Sequence, residues 1–276
     1  MKRMIIFILV SLLIPFLSVK AQSYTQEQLA QAGGLENLIS NKQDDLAKEQ
    51  KMYESFAKNT NKLQNANKVD KTEKYIESLS IDDLLNNSFL NNNSMLRSYT
   101  TNNKICYENV CYYLVSDSEV VQQENSYYCG PASVKQALNL ILGSSSTQGQ
   151  SYYANNMGTN PSNGTYVYKI KEELNNNQSV NDYGWREIVN GVDTFWDPVY
   201  YDSKTVNVPL IARLDTSYLE AYNDVSYLHY VTIIGYHKVN DKKIIYTDSY
   251  NGMAGVFGRK YDTIDNFYQA TSYLIW

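Results

Sequence analysis

Two hydrophobic periods divide the chain. Between Cys129 and Leu142 the side chains of Val134, Ala137, Leu138 and Ile141 recur at i, i+3, i+4 and i+7, which is one face of an α-helix. Pro131 suits the first helical turn, where its missing N–H is no loss. Gly143 supplies a stop. The pattern predicts a second short helix after Thr147 and a third near Thr165, running through Ile170 and Leu174. Further along, strands dominate. The expected strands cover 206–214, 228–236 and 243–247, and a polar stretch over 237–242 joins the last two as a hairpin. Residues 105–115 read as another hairpin, 263–270 as a short helix and 272–276 as a terminal strand. Helices first and antiparallel strands later predict an α+β fold.

The first hundred residues follow neither pattern. Lys2 and Arg3 precede an apolar run over 4–19, and Val19 and Ala21 occupy the small-residue positions before a cleavage point. The run is shorter than the about 20 residues a membrane span needs. Residues 1–21 are therefore expected to be a signal peptide, with no stable membrane insertion after cleavage and a secreted product. Residues 22–98 are rich in Gln, Asn, Lys, Glu and Asp with thin apolar spacing. They are expected to be a helical or partly disordered pro-segment or spacer, and 99–276 the functional domain.

Composition narrows the function classes. The net charge is −5 and no basic stretch stands out, which argues against nucleic acid as a partner. Hydrophobic residues make up 43% of the 276, enough for a substantial core. Tyr is frequent at 26 residues, and its strand propensity fits a sheet-rich C-terminal part. The three cysteines are Cys106, Cys111 and Cys129. Export favours disulfides. A Cys106–Cys111 bridge across the expected hairpin would leave Cys129 free, and an odd thiol in an exported protein asks for a reason.

Cys129 sits where the helix is predicted to start. Unpaired N–H groups and the helix dipole favour a thiolate there. A nucleophile also needs a base, and the chain has two histidines, His229 and His237. His229 opens a strand and can project into a cleft. His237 begins the polar turn and is expected to face solvent. Asp248 ends the following strand. If the two strands pair about a centre near Asn240, His229 and Asp248 face each other, and the carboxylate can fix the imidazole tautomer. Asp248 could instead cap the turn after it, and Asn251 is a weaker orienter. The Cys129 N–H and a side-chain amide, Gln122 or Gln123, could bind an oxyanion.

These residues resemble the papain-like cysteine peptidases related to the bacteriocin-processing, double-glycine leader peptidases. The likeness is carried by Gln123, Cys129-Gly130-Pro131-Ala132-Ser133, His229-Tyr230-Val231 and Asp248. Met157-Gly158-Thr159, Gly164-Thr165 and Leu174-Asn175 are similar to the secreted branch. The resemblance covers about 118–276. It implies a nucleophile helix packed on an antiparallel sheet and a Cys-His-Asp triad with Gln123 as oxyanion donor. It also implies a peptide or protein substrate, with no metal and no cofactor. The transporter-fused members carry membrane helices and a nucleotide-binding domain. This sequence has neither, nor a Walker A motif, so a stand-alone peptidase is expected. Two other readings share the Cys-then-His order: a thiol hydrolase acting on cell-wall peptides or side-chain amides, and an inactive peptidase-like binding module.

Overall fold

The stretch Leu228–His237, LHYVTIIGYH, is apolar on both faces, which suits a strand covered on both sides. In the computed structural model, which describes residues 104–106, 110–188, 191–238 and 242–276, this strand (β5) is the centre of the fold. The expected signal peptide and the 22–98 segment lie outside the described residues.

All pairings are antiparallel, in an eight-stranded sheet. Its other strands are β1 (Lys104–Cys106), β2 (Val110–Tyr113), β3 (Trp185–Glu187), β4 (Leu210–Asp215), β6 (Lys243–Asp248), β7 (Gly258–Thr263) and β8 (Thr271–Ile275). Both β2 and β6 pair β5 over 235–237, so they lie on opposite edges of it. Similarly, β4 and β6 both pair with residues 232 and 233. Thus β4 and β2 run end to end along one edge of β5, and β6 takes the other. The edge strands β1 and β3 have three residues each, and β7 carries Arg259 and Lys260, devices that keep a sheet edge from recruiting further strands.

Helices cover both faces. On one side lie α1 (Cys129–Leu142), α2 (Gln150–Met157) and α3 (Val167–Asn177). Val134, Ala137, Leu138, Met157, Ile170 and Leu174 pack there on Ile211, Tyr230 and Ile275. On the other side are α4 (Val192–Tyr201) and α5 (Ile264–Ala270). Their Phe195, Trp196, Val199 and Phe267 meet Leu210, Ala212, Val231, Ile233 and Tyr246. Neighbours 210, 211 and 212 thus serve opposite cores, as strand alternation requires. Each fully buried Leu, Ile, Val or Phe contributes roughly 1.5–3 kcal/mol.

The α1 bounds match the helical period, and the Gly143 N–H closes the last turn on the Asn139 carbonyl at 3.0 Å with φ at 85°. Elsewhere the outcome differs. The strand expected over 206–214 begins only at Leu210. Val206 ends a π-helical turn, Asn207 takes a left-handed φ of 66°, and Pro209 brings no N–H to a ladder. The pattern does not foresee α4, whose VDTFWDPVYY is β-branched, aromatic and interrupted by Pro198. His237 is 4% exposed, contrary to the solvent-facing expectation. The strand runs on through it, and pairing with Val110 on one edge and Lys243 on the other encloses it.

One irregularity sets the register. His237, Tyr236 and Gly235 pair with Lys243, Ile244 and Ile245, but Ile233 pairs with Tyr246 and Thr232 with Thr247. One extra residue is therefore inserted in β5, a β-bulge. Continuing the register sets Asp248 level with Val231, on the same face as His229. Without the bulge Asp248 would stand level with Thr232, on the opposite face. The expectation of direct opposition becomes a diagonal neighbour relation. Gly235 makes the bulge possible: its φ is 153°, and a Cβ there would overlap the Cys111 carbonyl and Tyr112 of β2. Cys111 is in turn bonded to Cys106 directly across the β1–β2 ladder.

Gly235→Ala should therefore destabilise the fold by about 3 kcal/mol or more, the sum of backbone strain and overpacking. Chemical denaturation measures it. A loss below about 1 kcal/mol, the usual size for a point mutation, would show that the bulge does not depend on this glycine.

Candidate active site

Cys129 is the first residue of α1 and is half-buried and free. No side chain caps this helix start, so its N–H groups are available to an anion. Burial pushes the thiol up. That effect is outweighed by a hydrogen bond to His229 and the charge of His229, helped by the N–H groups of Tyr230 and Gly130, so the thiol lies below its ordinary value. The Tyr230 N–H belongs to β5 at a point that β6 no longer reaches.

The helix start is held against the sheet by short contacts. A Cβ at Gly130 would overlap the Thr165 side chain. Tyr230 Oη donates to the Thr165 carbonyl at 2.8 Å, and Thr165 Oγ1 shares a 2.9 Å hydrogen bond with Thr159 Oγ1. Thr232 Oγ1 donates to the Ser133 carbonyl at 3.2 Å. The Cys-Gly and Gly-Thr pairs noticed in the sequence are two sides of one contact.

His229 is 6% exposed and its Nε2 lies 2.9 Å from Asp248 Oδ1. With Nε2 so engaged, Nδ1 is the ring nitrogen left for Cys129. Burial lowers the imidazole pKa, but the Asp248 charge and hydrogen bond, with Cys129, raise it to about 10. The pair thus favours thiolate and imidazolium. Asp248 is fully buried and accepts two further hydrogen bonds, from Tyr222 Oη at 2.8 Å and the Tyr250 N–H at 2.9 Å. The Tyr250 bond is the turn-capping role that the sequence offered as an alternative, so Asp248 does both. Burial and the Asp248 charge hold the Tyr222 hydroxyl far above its usual range, which keeps it a donor. Asn251, the weaker orienter, is exposed. Sequence reasoning missed Tyr222, since nothing distinguishes it among so many tyrosines.

Gln123 is 6% exposed, whereas Gln122 is exposed. The Gln123 N–H donates to the Ser249 carbonyl at 2.9 Å and its Oε1 accepts from Ser249 Oγ at 3.2 Å. Its Nε2 donates to the Asn125 carbonyl at 3.0 Å. Two buried glutamines that the sequence reading passed over hold this loop. Gln136 Oε1 accepts from the Val121 N–H at 2.7 Å. Gln150 accepts from the Glu124 N–H at 3.1 Å and donates to the Gln122 carbonyl at 2.7 Å. Gln136 shows in the sequence only as a polar residue inside an amphipathic helix, and Gln150, the first residue of α2, carries no such signal. Among the described residues no group of three or more His, Cys, Asp or Glu side chains converges as a metal site.

Comparison with known proteins bears on this geometry. The Peptidase_C39 like family matches residues 115–275. Among solved structures, similarity is found to the crystal structure of a double glycine motif protease from an AMS/PCAT transporter in complex with the leader peptide. The identity is 12%, with 56% of this chain and 87% of that chain covered and a TM-score of 0.38. No curated protein sequence matches the chain. The match runs from the β2 exit to the end of β8 and takes in the helix that carries Cys129 and strands β3 to β8, as expected for a papain-like α+β fold. On that match the chain belongs to the Peptidase_C39 like family and is a cysteine peptidase.

Proposed function

We propose that this peptidase hydrolyses peptide bonds of a peptide or protein substrate by acyl transfer through Cys129. The observation that supports it most is the line from a half-buried thiol through a buried imidazole to a carboxylate sealed from water. The Cys129 thiolate attacks the scissile carbonyl carbon, forming a C–S bond as the carbonyl electrons move onto oxygen. The Cys129 N–H and the second Nε2 hydrogen of Gln123 receive that oxyanion. As the tetrahedral species collapses, the imidazolium of His229 protonates the leaving nitrogen. The thioester remains. Water then attacks it, His229 takes the water's proton, and the C–S bond breaks to restore the thiolate. Asp248 orients His229 throughout and balances its charge.

Export belongs to the same proposal. It is supported by Lys2 and Arg3 ahead of the apolar run, and by a disulfide of the kind that persists in oxidising compartments. We read residues 22–98 as a pro-segment or a spacer. The intact mass of the secreted protein should correspond to a chain starting at Gln22 or, after maturation, between residue 22 and Lys104. A mass that retains Met1 would refute export by cleavage.

Cys129→Ala should abolish turnover and leave the fold intact by circular dichroism. Gln123→Ala should lower kcat by about 10²–10³-fold, as for other oxyanion donors, with Gln122→Ala close to wild type. The reverse order of those two variants would assign the oxyanion to the neighbouring residue.

The pH profile carries the sign of the two shifts. Activity needs thiolate and imidazolium together. It should rise through the lowered thiol pKa and fall only near the raised imidazole pKa of about 10. In Asp248→Asn the charge that holds the imidazole up is gone, so the alkaline limb moves down. The thiol ionises while His229 is still protonated in either form, so the acid limb stays in place. The kcat/KM plateau should narrow from the alkaline side. A plateau of unchanged width would remove Asp248 from the mechanism.

A further inference from the structure

Beside the buried His229 the chain leaves an aromatic ring in solvent. Tyr227 is 46% exposed, while His229, two residues on, is 6% exposed. Its ring stands 5.9 Å from that of Tyr250. Tyr250 in turn meets the His229 ring edge-on at 6.2 Å and stacks on Tyr222 at 6.4 Å with an interplanar angle of 9°. The main chain that carries both rings is held by hydrogen bonds. Tyr227 exchanges hydrogen bonds with Thr216: its N–H donates to Oγ1 at 2.8 Å, and its carbonyl accepts from the Thr216 N–H at 3.0 Å. The Tyr250 N–H is fixed on Asp248 Oδ1 at 2.9 Å. Rings carried on a held main chain have less conformational freedom to lose on binding.

Which part of a substrate meets them follows from the chemistry. The imidazolium must reach the leaving nitrogen, within about 3 Å. The residue that owns this nitrogen is the one immediately downstream of the scissile bond. Its side chain starts one carbon from that atom and so falls beside the rings that border His229. The acyl half is held instead at Cys129 and the Gln123 loop. We propose that Tyr227 and Tyr250 form the subsite for the first downstream residue and that this subsite selects large apolar or aromatic side chains. The proposal rests on the peptidase reading and adds to it a substrate class. An aromatic face rewards an offset or edge-on ring, and a matched apolar contact discriminates by roughly ten- to a hundredfold.

The test uses peptides identical except for Phe, Leu, Ser or Asp at the first downstream position. Wild type should cleave the Phe and Leu peptides with kcat/KM at least about tenfold above Ser and Asp. In Tyr227→Ala the Phe-to-Ser ratio should fall toward one, and Tyr227→Phe should keep it, since the ring survives. A second probe needs no turnover: epoxysuccinyl peptide amides extended on the leaving-group side by Phe or Ser. The Cys129 thiolate opens the epoxide and the ring oxygen takes a proton, and mass spectrometry follows the labelling rate. Faster labelling by the Phe probe, lost in Tyr227→Ala, supports the subsite even if no peptide is cleaved, in which case it is the hydrolytic reading that fails. Peptide cleavage or labelling that is indifferent to Phe and Ser overturns the subsite and leaves the peptidase reading standing.

Discussion

A carboxylate with no contact with water must find its hydrogen bonds in the protein, and Asp248 finds three. The donors come from separate places. Tyr222 arrives from the connection between β4 and β5, His229 from the start of β5, and the Tyr250 N–H from the turn beyond β6. Satisfying one buried charge therefore fixes three segments at once. A hydrogen bond to an ionised group contributes about 1.5–3 kcal/mol net, while leaving such a charge unpaired is more damaging than the pair is favourable. The imidazolium beside it follows from the same constraint, since a buried His229 would otherwise be neutral. The lowered thiol follows from the imidazolium.

That arrangement depends on a backbone detail some distance away. Strand alternation is strict, so Asp248 reaches the His229 face only because β5 carries one extra residue before Gly235. The bulge is tolerable because β2 crosses at a glycine, where any side chain would overlap Cys111 and Tyr112. The strand β2 is itself joined to β1 by the Cys106–Cys111 disulfide. The early hairpin, which holds no part of the chemistry, thus bears on the register that aligns it.

Much of this was legible in the residues. The 3.6-residue period of Val134, Ala137, Leu138 and Ile141 fixes α1, and with it the position of Cys129 at a helix start. Two strands flanking a polar stretch bring His229 and Asp248 together, because hairpin pairing is set by short-range spacing. The bulge was not legible, and the direct opposition expected of the pair became a diagonal one. His237 misled because a polar side chain beside a turn suggests solvent, whereas both edges of β5 are still occupied there. Helix α4 was hidden by residues of strand propensity that tertiary packing overrides, with Phe195, Trp196 and Val199 buried against the sheet. Tyr222 could not be found at all, since its role is a long-range hydrogen bond that leaves no local pattern.

The Gln123 loop has a different logic from the thiol–imidazole–carboxylate line. It is irregular chain, and irregular chain holds a donor steadily only if its own backbone groups are satisfied. Here Gln136 from α1 and Gln150 from α2 meet the N–H groups of Val121 and Glu124, standing in for a neighbouring strand. On its other side the loop is bonded through Gln123 to Ser249, the residue after Asp248. The donor proposed for the oxyanion is thereby tied to both ends of the thiol–imidazole–carboxylate line. It is tied to the thiol through the helix that carries Cys129, and to the carboxylate through the chain itself. A displacement of Asp248 would be felt at Gln123 through Ser249, so the carboxylate and the Gln123 amide share one mechanical support.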